Sequence, residues 1–184
     1  MTTIAVIGDG PAGLSAALFL AKNGAEVTVY GGDETAMHHA LLRNYLGIEE
    51  RSGSEFQRHA RTQVAGYGAT LLDDEVTAIR QAGGRFVVTT GAGREDTVDY
   101  VVLAAAKKGS ALAEPLGVPS SSDGVEVDGE YRTVVDRVYA VGRLARPARS
   151  QAIISAGAGA VAALDILSRE AGEDVTDWDS PQDG

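Results

Sequence analysis

The chain has 184 residues, enough for one well-buried core and short for two full domains. Its 26 acidic residues outweigh 16 basic ones, and a net charge of −10 repels nucleic-acid phosphates and anionic lipid headgroups. It has no cysteine, which excludes disulfides, thiolate metal sites and any Cys-x-x-Cys redox pair.

Thr3–Ile7 reads as a short apolar strand that ends in Gly8-Asp9-Gly10-Pro11-Ala12-Gly13. A helix follows with Leu14, Ala17, Leu18 and Ala21 on one face, closed by Lys22-Asn23-Gly24. Glu26–Tyr30 is the next strand, completing a βαβ unit. Residues 31–53 are loop-rich, and Ser54–Gly66 is helical, with Phe56, Ala60 and Val64 on one stripe. Ala69–Leu72, Glu75–Gln81, Arg85–Thr90 and Glu95–Leu103 then read as strands, the glycine turns making an antiparallel hairpin between parallel strands. Lys107–Ser122 resembles a linker. Val125–Val127 and Arg132–Val135 are expected as short strands about the Asp128-Gly129 turn, Val138–Val141 as a buried strand, and Ala152–Glu170 as a long helix. The fold class expected is α/β, a doubly wound parallel sheet with an antiparallel β-hairpin or meander insertion. Residues 1–172 form one domain, and 173–184 an acidic tail docked through Trp178.

The Gly8-x-Gly10-x-x-Gly13 spacing between a strand and a helix has a mechanical reading. Gly8 permits the turn, Gly10 lets a pyrophosphate reach the backbone, and Gly13 lets the helix pack on the strand. The helix start then offers N–H groups and partial positive charge. The acid such folds place at the end of the second strand is missing, because that strand ends at Tyr30-Gly31-Gly32. Either the loop returns Asp33 to the ribose or the contact is absent. Gly157-x-Gly159 lies inside a helix and Gly91-x-Gly93 in a hairpin turn, so neither is a second nucleotide site.

Taken together, Val6–Ala17 resembles the N-terminal FAD fingerprint of the thioredoxin reductase family. Asn44-Tyr45-Leu46-Gly47 is similar to the family's loop beside the flavin, with Leu46 in place of Pro. Arg132–Gly142 resembles the second FAD motif, and Gln151–Gly157 the start of the last helix. The likeness spans about residues 3–170 and is closest to small, single-domain members of the family. It implies FAD as cofactor, with Gly8, Gly10, Pro11, Ala12, Gly13, Tyr30, Gly31, Asp33, Asn44, Val76, Ala105, Gly142, Arg143, Ala152 and Ile153 around it. The chain departs from the family in three further places. Only about 30 residues stand where the nicotinamide domain is inserted, Ala104-Ala105-Ala106 replaces Ala-Thr-Gly, and Arg143 replaces the Asp that reaches the ribityl chain.

The expectation is an FAD-dependent oxidoreductase without disulfide reductase activity of its own, reduced by a partner protein or by free NAD(P)H. The alternatives are a non-enzymatic flavin module and a nucleotide-binding protein that no longer holds FAD. A homodimer is implied by the resemblance. Arg143, Arg146 and Arg149 are read chiefly as loop arginines, with attraction of an anion as the alternative. His38-His39 are loop histidines with no metal set around them, and Tyr45 either meets the ring system or packs in the core. No apolar run approaches the roughly 20 residues of a membrane span, so the expected location is cytoplasmic. The composition, rich in acids and Ala and with only three Lys, is shared by salt-adapted and ordinary acidic proteins.

Overall fold

The computed structural model describes residues 1–180, apart from the side chain of Lys107. Thr3–Ile7 forms β1, an apolar run whose faces are both covered, as a central parallel strand requires. Helix α1 (Pro11–Lys22) starts on a proline, whose fixed φ suits the first helical position. It buries Leu14, Ala17 and Ala21 as expected, with Leu18 only partly covered, and returns the chain to β2 (Glu26–Tyr30).

Helix α2 (Gly53–Gly66) is capped by Ser52, whose hydroxyl accepts from the Glu55 N–H (3.2 Å). The edge strand β3 (Thr70–Leu72) follows. A three-stranded antiparallel meander comes next: β4 (Val76–Ala82), β5 (Arg85–Thr90) and β6 (Glu95–Val98). The single strand expected over Glu95–Leu103 is two strands. Asp99 leaves the ladder to accept from the Thr3 N–H (2.9 Å), the Thr3 hydroxyl (2.8 Å) and Arg85 Nε (2.8 Å). The chain thereby passes from the meander into β7 (Tyr100–Leu103) of the parallel sheet.

The stretch expected as a linker holds helix α3 (Ala106–Ala113), a 3₁₀ turn at Glu114–Leu116, and a two-residue ladder pairing Ser120–Ser121 with Gly124–Val125. Alanine propensity forms the helix and Pro115 ends it. No strand forms over Arg132–Val135; a lone bridge joins Arg132 to Tyr139, while the Asp128-Gly129 turn is present, with Asp128 Oδ1 accepting from the Glu130 N–H (2.9 Å). β8 (Val138–Ala140) and α4 (Ala152–Ala171) complete the fold.

The parallel sheet has the order β8-β7-β1-β2-β3. One face packs on α1, α2 and α4 through Ile4, Val6, Leu14, Leu20, Val64, Val102 and Ile166; the other packs on the meander and α3 through Ala5, Ile7, Phe86, Val88, Val101, Leu103 and Leu112. The doubly wound expectation therefore holds, with one helical layer exchanged for the meander.

By length and composition α4 is long and apolar enough to cross a membrane, against the expectation that no such run exists. Here it is a core helix, burying Ala158, Gly159, Ala162, Ala163 and Ile166 against α1 and the sheet. Its Asp165, also buried, accepts from Arg132 Nε (2.7 Å) and from the Tyr139 hydroxyl (2.5 Å). The acidic tail is held by Lys22, which pairs with Asp177 (2.8 Å) and Asp179 (2.5 Å), and not by Trp178, which is 87% exposed. Residues 181–184 of the expected tail lie outside the described residues.

Asp165 titrates below its ordinary 3.8: burial would raise it, and the bonds from Arg132 and Tyr139 outweigh that. A depressed carboxylate stabilises the fold above its unfolded value and loses that contribution as pH falls through the folded one. Denaturant unfolding is therefore expected to show falling stability below pH 3.8, with a shallower fall in Asp165→Asn. At neutral pH Asp165→Ala is expected to cost about 2 kcal/mol, less than a fully buried pair because Arg132 keeps contact with water.

Candidate functional site

Backbone meets backbone at the carboxyl ends of β1 and β7, and again where α4 crosses α1, with no space for a side chain between them. Gly8 has φ +111°, and a Cβ there would lie 2.8 Å from the Ala105 nitrogen. A Cβ on Gly13 would lie 1.9 Å from the Gly8 carbonyl oxygen, so Gly13 closes the turn on itself as well as on the sheet. A Cβ on Gly159 would lie 2.0 Å from the Ala12 carbonyl oxygen. The glycine set aside above as a look-alike is what lets α4 lie against α1.

Gly10 differs from these. An added Cβ would meet only the Thr35 hydroxyl, at 3.4 Å, and would project into a cleft of about 560 Å³. That volume lies within the range of small-molecule sites. The cleft runs from the Gly8–Ala12 turn past Tyr30 and Gly31, along Val76 and Ala105, to Gly142, Arg143 and Ala152. Neither α1 nor α4 carries a side-chain cap at its start, so their first N–H groups and dipoles are free to meet an anion. Gly142 (φ +66°) holds the end of β8 close to Ala12, since a Cβ on it would lie 2.8 Å from that residue's own.

Four expected residues do not line the cleft. Gly13 sits behind the turn. Asn44 bridges to the last helix instead, its side-chain amide donating to Gln151 Oε1 (3.0 Å) just before Ile153, which is 36% exposed. Asp33, at φ +57°, turns aside; its main-chain oxygen meets His38 Nε2 (2.7 Å) and its N–H donates to Asp9 Oδ2 (2.9 Å).

The acid beside the end of β2 is Asp9, from the first loop. A Cβ on Gly31 would lie 2.5 Å from the Asp9 Cγ, so the missing side chain at Gly31 is the space that Asp9 fills. Asp9 is 5% exposed and paired with Arg61, which also reaches Asp73 (2.9 Å). Gln57, fully buried, donates to the Asp9 carbonyl (2.6 Å). Sequence reasoning missed these three residues, although an acid inside the glycine motif followed by Gly31-Gly32 was the available signal.

Arg143 donates to the Ser150 hydroxyl (3.3 Å), and Arg146 lies over the Tyr131 ring (5.8 Å). Among the described residues neither pairs with a carboxylate, nor does Arg149. His38 Nδ1 meets the Ser54 hydroxyl (2.9 Å), pinning the loop to α2. Tyr45 packs on Phe56 (5.6 Å between ring centres). Among the described residues no cluster of three His, Asp or Glu could hold a metal.

The sequence profile of the pyridine nucleotide-disulphide oxidoreductases matches residues 2–108 and 69–163. Thioredoxin reductase of Streptomyces coelicolor is 30% identical over 117 residues, covering 61% of this chain and 36% of that protein. That of Streptomyces clavuligerus is 28% identical over 127 residues, 66% of this chain and 39% of that protein. The chain thus spans under two fifths of the length of these curated relatives. Among solved structures, the atypical thioredoxin reductase TRi from Desulfovibrio vulgaris Hildenborough superposes with a TM-score of 0.85 at 19% identity, over 94% of this chain and 99% of that one. A thioredoxin reductase from Gloeobacter violaceus gives 0.85 at 16% identity, over 98% and 100%. These structural likenesses establish the fold.

The glycines separate by their surroundings. Gly13→Ala is expected to destabilise the protein by about 3 kcal/mol, because its neighbour is backbone that cannot move aside. Gly10→Ala is expected to cost under about 1 kcal/mol. Thermal melts of the two variants check the difference.

Proposed function

The chain belongs to the pyridine nucleotide-disulphide oxidoreductase family, and on that premise we propose that it is an FAD-binding oxidoreductase without disulfide reductase activity of its own. The observation that carries this reading is the convergence of the glycine turn and the uncapped starts of α1 and α4 on one cleft. The fit to a dinucleotide rests on Gly10, where a side chain would enter the cleft, and on the first N–H groups of α1 that border it, at Ala12 above all, which have no earlier turn to bond to. Those groups would hold the pyrophosphate. Tyr30 and Gly31 would border the adenosine half, and Arg143 and the start of α4 the flavin half.

When bound, FAD supplies hydride and electron transfer. The protein's own part is to orient it and to present the positive end of the α4 dipole, which favours negative charge nearby. Arg143, a donor where the resemblance implies an acceptor, is read as a contact to a hydroxyl or phosphate oxygen.

Between β7 and β8 the chain has α3, a 3₁₀ turn and a two-residue ladder, too little for a nicotinamide-binding unit, and no cysteine relays electrons. That supports the reading of a flavin reduced by a partner protein or by free NAD(P)H, and the proposal takes the protein as a cytoplasmic homodimer. The same short connection favours a second reading, a non-enzymatic flavin module.

The purified protein is expected to be yellow and to release FAD, not FMN, on heating, as read by mass spectrometry. Gly10→Val is expected to keep its far-ultraviolet circular dichroism and lose its colour; a yellow variant would place the ligand elsewhere. Anaerobic bleaching by NAD(P)H supports the oxidoreductase, and a flavin that stays oxidised supports the module. Arg143→Ala is expected to weaken FAD binding by about 1–3 kcal/mol in calorimetric titration.

A further inference from the structure

Asp9 has a free oxygen where the fold usually offers an acid from another place. Its carboxylate is more than nine-tenths buried and borders the cleft. Oδ2 is occupied by Arg61 and by the Asp33 N–H (2.9 Å). Oδ1 has no hydrogen-bond partner among the described residues. It points to the end of β2, since a Cβ built on Gly31 would lie 2.6 Å from it. An acid at this point in a doubly wound sheet accepts from a ribose hydroxyl. Here the strand end has no side chain, and the first loop delivers a carboxylate into the vacated volume.

The carboxylate is also held in place. Gln57 fixes its main-chain carbonyl (2.6 Å) and Arg61 its side chain, both from α2. With Oδ2 taken by Arg61 and the Asp33 N–H, Oδ1 is the oxygen left to accept from a donor in the cleft. The neighbouring cleft wall is acidic, with Glu34, Asp73 and Asp74, and Lys108 on that wall is already paired with Glu75 (2.9 Å).

We propose that Asp9 is the specificity-determining residue for the adenosine end of the cleft: Oδ1 accepts a hydrogen bond from a free ribose diol, and the carboxylate rejects a ribose bearing a 2′-phosphate. The proposal rests on the adenine-dinucleotide reading above and adds which ribose the cleft admits and which residue decides it. It also accounts for Gly31, since any side chain there would displace Asp9.

The test changes the ligand first, so that it does not depend on a variant folding. The apoprotein is titrated calorimetrically with FAD, with FAD built on 2′-deoxyadenosine or on 3′-deoxyadenosine, and with FAD carrying a 2′-phosphate on the adenosine. At least one deoxy form is expected to bind about tenfold or more weakly than FAD, the size of a hydrogen bond to a charged acceptor. The phosphorylated form is expected to bind more weakly still. In Asp9→Asn the penalty for the phosphate is expected to shrink, and in Gly31→Ala, which keeps the Asp9 charge but pushes its carboxylate out of the space it fills, the deoxy discrimination is expected to be lost. Equal affinity of the wild type for FAD and both deoxy forms would overturn the role of Asp9 and leave the cofactor reading standing. Absence of any FAD binding would overturn both.

Discussion

The architecture depends on backbone approaching backbone where a side chain would have stood. Gly8 lies against the Ala104–Ala105 peptide, Gly13 against the carbonyl of Gly8, and Gly159 against the carbonyl of Ala12. Each contact is closer than a Cβ permits, and together they bring β1, β7, α1 and α4 to one point. Helix starts brought this close carry N–H groups that their own helices cannot satisfy. The cleft lies where those groups face open space. A structural constraint, tight packing without side chains, thereby generates the electrostatic character of the site.

Charge is arranged differently in the interior and at the cleft. The buried carboxylates are matched, Asp165 with Arg132 and Tyr139 and Asp9 with Arg61, as is the partly buried Asp99 with Arg85 and the Thr3 backbone. Each match ties elements that are distant in sequence, and those of Asp165 and Asp99, both held below the ordinary carboxylate value, make neutral pH more favourable than acid. Tyr139 titrates above its ordinary range because burial raises it and its hydroxyl donates to Asp165. Arg143, Arg146 and Arg149, by contrast, have no carboxylate partner among the described residues although the chain carries a net charge of −10. These arginines follow β8 in the segment leading to α4, and of them Arg143 lines the cleft, whose wall elsewhere carries Glu34, Asp73 and Asp74.

The passage from β7 to β8 shows how the same sheet serves a shorter chain. Its 3₁₀ turn and two-residue ladder keep the strands adjacent, and α3 covers the meander side of the core with Leu112 and Ala113. Gly109 brings α3 against Leu144, just past the end of β8, where an added Cβ would lie 2.7 Å from a Leu144 methyl. The short connection is thus part of the core and also forms part of the cleft wall through Ala106 and Lys108.

By itself the sequence determined the features that rest on local rules. The βαβ start, the long last helix, the apolar strands Val101–Leu103 and Val138–Ala140 and the glycine turn follow from periodicity, propensity and the steric freedom of glycine. Tertiary structure decided what depends on partners far along the chain. Asp99 broke a strand because Thr3 and Arg85 were there to bond it, and the Arg132 segment stayed a loop because Thr133 turned its hydroxyl to Val135 and Val138. Trp178 stayed in solvent because Lys22 held the tail through Asp177 and Asp179. The position of the site's acid was decided in the same way. No spacing rule assigns Asp9 to the end of β2; the vacancy at Gly31 and the pull of Arg61, from a helix 52 residues further along, put it there.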